Sequence, residues 1–209
     1  ALKIIFDSQK LLPHIEENFR RESLLKSALY SARVEGNPSK IDDLDNQEEL
    51  HKSEIFNLVR AYKFIYSNKS PKNISVLLAK KLHKIVMKNI SHQAGSFRTE
   101  PWAIYNQAGI AIFLAPAHFN VPELMSDLVD DIQSLKENEF IKSAIFQFLF
   151  EKIHPFPDGN GRVGRLISSF LLNTSGYGFR GLIPIEEIVD NERERYYEVL
   201  EPSSDVTGF

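Results

Sequence analysis

The sequence predicts a mainly α-helical domain carrying one small β-hairpin. Three observations support that. Apolar residues recur at three- and four-residue spacing in segment after segment. Paired apolar runs around a glycine occur once, between residues 102 and 113. The composition, 43% hydrophobic and 25% charged over 209 residues, is that of a globular chain with one sizeable core.

The first helix is expected over residues 15–32, where Phe19, Leu24, Leu25, Ala28, Leu29 and Ala32 mark one face and Gly36-Asn37-Pro38 follows as a stop. A polar loop, 39–46, leads to a second helix at 48–66; Ser70-Pro71 breaks it, and a third runs over about 75–88. The pattern then changes to strand. Residues 102–105 and 110–113 flank Asn106-Gln107-Ala108-Gly109 and read as a hairpin turning at the glycine. Helices resume at 121–136 and 139–152. In the latter, Phe140, Ile141, Ala144, Ile145, Phe148 and Leu149 form a stripe with Phe146 and Phe150 off it, which predicts a helix at the centre of the domain. After a glycine-rich loop, Val163, Leu166, Ile167, Phe170 and Leu171 recur at helical spacing, and residues 173–178 end that helix. A short helix at 192–200 precedes a polar tail, and there is no internal repeat.

A formal charge of -3 gives no general electrostatic case for nucleic-acid binding. With no cysteine, disulfides and thiolate metal sites are excluded, which suits a cytoplasmic setting. The apolar run at the start is too short for a signal peptide, and no stretch is long and apolar enough to span a bilayer.

Chemistry concentrates in residues 154–165, His-Pro-Phe-Pro-Asp-Gly-Asn-Gly-Arg-Val-Gly-Arg. Gly159, Gly161 and Gly164 satisfy the dinucleotide-binding pattern, but a long apolar helix precedes them where a strand is required. The P-loop also fails, because Arg165-Leu166 stand where Lys-Ser or Lys-Thr is needed. The physics behind both patterns survives. A glycine-rich turn entering a helix presents unpaired N–H groups to an anion. Gly159 and Gly161 allow close approach, Asn160 has an amide to donate to a phosphoryl oxygen, and Arg162 and Arg165 share a helix face for further phosphates. Asp158 is a hard ligand suited to Mg²⁺. His154 titrates in the range of a general base, and Pro155 biases it towards an extended backbone that projects the ring.

His154-Pro-Phe156-x-Asp158-Gly-Asn160-Gly-Arg162-x-x-Arg165 resembles the core motif of Fic-domain proteins at every specified position. The resemblance covers about residues 31–197. Gly95-x-x-Arg98 with the hairpin resembles the family's target-binding flap, and Ser31-x-x-x-Glu35-Gly36 resembles its inhibitory signature. It implies a Fic-type helical domain, divided as an N-terminal inhibitory region, 1–46, and a catalytic region, 47–209. The implied activity is transfer of AMP from ATP to a Ser, Thr or Tyr hydroxyl of a target protein. His154 would be the base, and Asp158 the ligand of Mg²⁺ on the α- and β-phosphates. Asn160 and the Gly161 backbone would hold the α-phosphate. Arg162 would support loop and phosphates, and Arg165 would grip the γ-phosphate. Phe156 reads as a core anchor for the loop. Self-modification and a homodimer are also admitted by the resemblance.

Glu35 lies at the negative end of a helix dipole and projects from its apolar face, so it needs a cation. Arg165 is the candidate, and the pair would withhold that arginine from the γ-phosphate. In some relatives the same glutamate supports deadenylylation. Trp102, Ile104, Ile110 and Ile112 are the flap residues expected to pair with a target backbone segment. His14, His51, His83, His92 and His118 show no ligand spacing and read as ordinary helix or loop residues. The rival reading is a regulatory or binding module with little catalysis, against which the complete catalytic set argues.

Overall fold

The computed structural model describes residues 3, 8, 11–41, 49–105 and 108–200, with the backbone alone at 49, 50 and 112. The predicted loop beyond residue 41, the hairpin residues Asn106 and Gln107, the side chain of Ile112 and the tail after Leu200 lie outside the described residues. The chain runs α1 (Pro13–Val34), α2 (Glu49–Ile65), α3 (Val76–Val86), β1 (Ala103–Tyr105), β2 (Ala111–Leu114), α4 (Val121–Ser134), α5 (Glu139–Ile153), α6 (Asn160–Thr174), α7 (Glu186–Asn191) and α8 (Arg193–Leu200). The mainly α-helical class with one β-hairpin is as the sequence indicates.

Helix ends fall where side chains can satisfy the terminal backbone groups. Proline in the first turn opens α1 and α4, where its missing N–H costs nothing. Ser75 and Asn138 cap α3 and α5 by accepting the N–H of Leu78 at 3.1 Å and of Phe140 at 2.9 Å. α1 closes when Gly36 takes φ 93°, which lets the Asn37 N–H return to the Ala32 carbonyl at 3.1 Å.

α6 is the central helix. Val163, Leu166, Ile167 and Phe170 are each 0% exposed, and the helix packs against α1, α2, α3 and α5. Each such side chain contributes roughly 1.5–3 kcal/mol through burial. A continuous buried cluster joins α6 to Leu29 of α1, Ile55 of α2 and Leu82 of α3, so the first helix shares the core of the rest.

Two expectations are corrected here. α5 does not lie at the centre: Phe140, Ile141, Phe148 and Leu149 are exposed, and the buried face is Ser143, Phe146, Phe150 and Ile153. A helix apolar all round has no pattern to orient it. The choice falls to Phe146 and Phe150, which stack at 5.4 Å and continue at 6.2 Å to Phe156 of the loop. Phe19, assigned to the inner face of α1, is likewise exposed.

The strands pair antiparallel with Ala103 opposite Leu114 and Ile104 opposite Phe113, then slip one position at Tyr105. Among the described residues they pair only with each other. No described helix is long and apolar enough to cross a membrane.

Candidate functional site

α5 delivers His154 directly beyond its last residue. His154 adopts φ 47° and ψ 62°, the left-handed region, rather than the extended backbone expected ahead of proline. One helical and one tertiary bond override the bias: its N–H closes the helix on the Phe150 carbonyl at 2.9 Å, and its own carbonyl accepts from Arg98 Nε at 2.8 Å. The imidazole stacks on Trp102 with centroids 3.5 Å apart, and Nδ1 stands 4.0 Å from Glu151 Oε2. Burial pushes its pKa down to about 4, against the pull of the Glu151 main chain. Near neutral pH the ring is uncharged and able to accept a proton.

The loop is built from the inside. Phe156 is 0% exposed and lies flat on His83, 3.8 Å between centroids and 6° between planes. Asn160, expected to donate to a phosphoryl oxygen, lines the candidate cavity and is also engaged with the loop's own backbone. Its Oδ1 accepts the Phe156 N–H at 2.9 Å and its Nδ2 donates to the Phe156 carbonyl at 2.8 Å, so both polar ends brace the loop. Residues 160–162 open α6, and N–H groups in a first turn have no acceptor within their helix. Gly159 takes φ 79°, and a Cβ there would meet Met87 Sδ at 2.9 Å. A Cβ on Gly161 would overlap Glu35 Oε1, so that carboxylate sits against the cradle itself.

Both arginines are engaged. Arg165, 3% exposed, bonds Ser31 Oγ at 3.0 Å, the Ser31 carbonyl at 2.7 Å, Glu35 Oε1 at 2.9 Å and the Tyr196 hydroxyl at 3.3 Å. Burial opposes its charge, but Tyr196 and Glu35 prevail and raise its pKa. Arg162 turns elsewhere, to Glu54 of α2 and to Asp158 Oδ1 at 2.8 Å. Glu54 in turn accepts from Asn37 Nδ2 at 2.7 Å, tying the end of α1 to the loop. Asp158 Oδ1 also accepts the Gly159 N–H at 2.6 Å, while the rest of its side chain is exposed. Burial lifts the Glu151 carboxyl to about 7, and its Oε1 has no hydrogen-bond partner among the described residues.

Glu35, His154, Asp158, Gly161 and Tyr196, with Ile104 of the hairpin, help line a cavity of about 470 Å³. That size suits a small-molecule ligand. The hairpin is clamped over it by Arg98, which donates to the carbonyls of Glu100 and Pro116 on one side and of Ile153 and His154 on the other. Trp102 faces His154, while Ile104 and Ile110 are 42% and 62% exposed.

Residues 73–172 match the model of the Fic/DOC family. A Fido domain-containing protein of Dictyostelium discoideum is 33% identical over 122 residues, which cover 54% of this chain and 80% of that protein. The chain belongs to the Fic/DOC family. A probable protein adenylyltransferase of Aquifex aeolicus is 36% identical over 101 residues, 46% of this chain and 29% of that one. Over 221 residues the chain is 23% identical to the protein adenylyltransferase fic-1 of Caenorhabditis briggsae, spanning 41% of its length. A Fic family protein from Desulfovibrio desulfuricans superposes with a TM-score of 0.77 at 26% identity, covering 91% of this chain and 58% of that one.

In this Fic domain, sequence reasoning missed Glu54, Glu151, Tyr196 and His83. His83, read as an ordinary helix residue, is 1% exposed beneath the loop, with its pKa lowered by burial to about 4. A histidine on the apolar face of α3, four residues after Ala79 and three before Val86, was the available signal.

Proposed function

We propose that this Fic domain is a protein adenylyltransferase held inactive by Glu35. The observation that carries the reading is one cavity lined by a neutral His154, by Gly159 to Gly161 at the N-terminus of α6, and by Glu35, whose carboxylate pairs with the Arg165 guanidinium. Relatives named protein adenylyltransferases support it. The chain spans less than half of either, so the activity is proposed for the domain present here.

A target hydroxyl oxygen attacks the α-phosphorus of ATP. The new P–O bond forms as the bond to the β-phosphate oxygen breaks, and pyrophosphate departs. The hydroxyl proton passes to His154. A ring nitrogen whose pKa has been lowered to about 4 is unprotonated beforehand, and an adjacent triphosphate raises its basicity as the proton arrives. The N–H groups at the start of α6 stabilise the charge developing on the phosphoryl oxygens. Exposed hairpin edge residues such as Ile104 and Ile110 align the target chain by strand addition.

Asp158 fits a magnesium role in a limited way. Among the described residues no cluster of three His, Cys, Asp or Glu side chains could hold a metal. Mg²⁺ commonly takes one carboxylate with phosphates and water, and the exposed Asp158 carboxylate meets that need. The ion would supply charge neutralisation to the phosphates.

Glu35 acts as a stand-in anion. Its carboxylate abuts Gly161 and pairs with Arg165, the two places a triphosphate needs. Incubation with α-³²P-labelled ATP and Mg²⁺ tests the reading. Glu35→Gly should label itself or a lysate protein more strongly than the parent, and adding His154→Ala should abolish label. Equal labelling with and without His154 rejects the assignment.

A further inference from the structure

We infer that His83 is a positioning residue: as a neutral ring protonated only on Nε2, it fixes the Asp158 carbonyl against α3 and so orients the phosphate loop. The inference deepens the proposed function and rests on that reading only for its nucleotide-binding arm. Two hydrogen bonds decide the tautomer. The Gly95 N–H lies 2.8 Å from Nδ1, and because a backbone amide can only donate, Nδ1 must carry the lone pair. Nε2 lies 3.0 Å from the Asp158 carbonyl, and because that oxygen can only accept, Nε2 must carry the proton. Neither flanking group can exchange roles, so one form of the ring satisfies both.

The position of these partners gives the bonds their use. Gly95 begins the segment that leads through Arg98 into the hairpin, and Asp158 immediately precedes the glycine turn. His83 therefore joins the support of the target flap to the support of the phosphate cradle through one buried ring. A carbonyl oxygen turned towards the cradle would present negative charge to a phosphate; bonded to Nε2–H, it is committed to α3 instead. The ring also forms the floor of the turn. It stacks on Phe156, and a Cβ at Gly159 would lie 3.6 Å from His83 Cδ2.

Three variants in the Glu35→Gly background separate stacking from hydrogen bonding. His83→Phe keeps a ring on Phe156 and loses both bonds. His83→Gln supplies an amide donor in the place of Nε2, and His83→Asn supplies an acceptor in the place of Nδ1. The dissociation constant of Mg·ATP should rise at least tenfold in the Phe and Asn variants and recover to within about threefold in the Gln variant. The spectroscopic arm needs no nucleotide. In ¹⁵N-labelled parent, long-range ¹H–¹⁵N spectra should show His83 with an unprotonated Nδ1 and a protonated Nε2. Amide exchange at residues 159–161 should quicken in the Phe variant while its near-UV dichroism is preserved. A protonated Nδ1, or unchanged exchange with unchanged Mg·ATP affinity in the Phe variant, overturns the inference. Gln binding as weakly as Phe does so too. Failure of the Glu35→Gly parent to bind or transfer any nucleotide counts instead against the transferase reading, with the spectroscopic arm still deciding on His83.

Discussion

Replacing Glu35 by glycine should weaken the fold and at the same time make it responsive to nucleotide. Breaking a buried ion pair by removing one partner costs about 3–5 kcal/mol. Here the Glu35 side chain is 30% exposed, and Arg165 keeps three other acceptors from Ser31 and Tyr196, so the loss falls to about 1–2 kcal/mol. Glycine adds about 0.5–1 kcal/mol of backbone entropy at the end of α1. Together these make about 2 kcal/mol, or a fall in melting temperature of roughly 4–8 °C for a chain this size. Mg·ATP at a hundred times its dissociation constant should return about 2.7 kcal/mol, enough to restore the parent's melting temperature or exceed it. The parent, its cradle already filled by a carboxylate, should shift little at the same concentration. Differential scanning calorimetry of both proteins with and without Mg·ATP makes the comparison. Equal nucleotide-induced shifts would show that Glu35 and the triphosphate do not compete, and the inhibitory account would fail.

Other outcomes follow from the same geometry. Gly161→Ala should also displace Glu35, because the new methyl overlaps Oε1, yet it should not raise labelling as Glu35→Gly does, since that methyl remains in the cradle. A strong gain in labelling by Gly161→Ala would place the phosphates elsewhere. The fold should lose stability in mild acid through His83, whose pKa falls from 6.5 to about 4 on folding. The unfolded chain binds the extra proton between those values, so stability rises with pH there: the contribution is complete above 6.5 and lost as pH falls towards 4. Its ceiling is about 3 kcal/mol. Urea titrations at pH 7.5, 6 and 4.5 should show a drop that His83→Phe reduces, and an equal drop in the variant would refute the assignment. Arg98→Lys should cost about 1–3 kcal/mol, because one ammonium cannot span the carbonyls of Glu100, Pro116, Ile153 and His154. Limited proteolysis should cut the hairpin faster in that variant, and an unchanged rate would argue against the clamp.

How much of this was legible in the chain depended on distance along it. The loop of residues 154–165 could be read because its histidine, glycines and arginines are contiguous and run into the N-terminus of α6. α6 was equally plain, with Val163, Leu166, Ile167 and Phe170 set against polar neighbours at helical spacing. α5 was misread because aromatic and aliphatic residues surround it, and only its contacts with α6 and the Phe156 anchor select the inner face. α7 went unnoticed: six residues show too little periodicity. Glu54 and His83 were hidden for another reason. They meet the loop across sequence separations of 108 and 75, and no local pattern marks either as a partner of Arg162 or Asp158. Asn160 shows the converse, a residue whose place was legible and whose use was not. An amide side chain satisfies a loop's own backbone as readily as a ligand.

The carboxylate paired with Arg165 belongs to the residue that caps the C-terminal end of a helix whose Ala28, Leu29 and Ala32 are built into the core. Occlusion, as proposed for Glu35, is therefore a unimolecular event. Its set point is an internal equilibrium constant, the same at nanomolar as at micromolar protein, and dilution offers no escape from it. Only an agent that distinguishes two placements of the turn ending at Gly36 can move that balance, and a tenfold movement requires about 1.4 kcal/mol of discrimination between them.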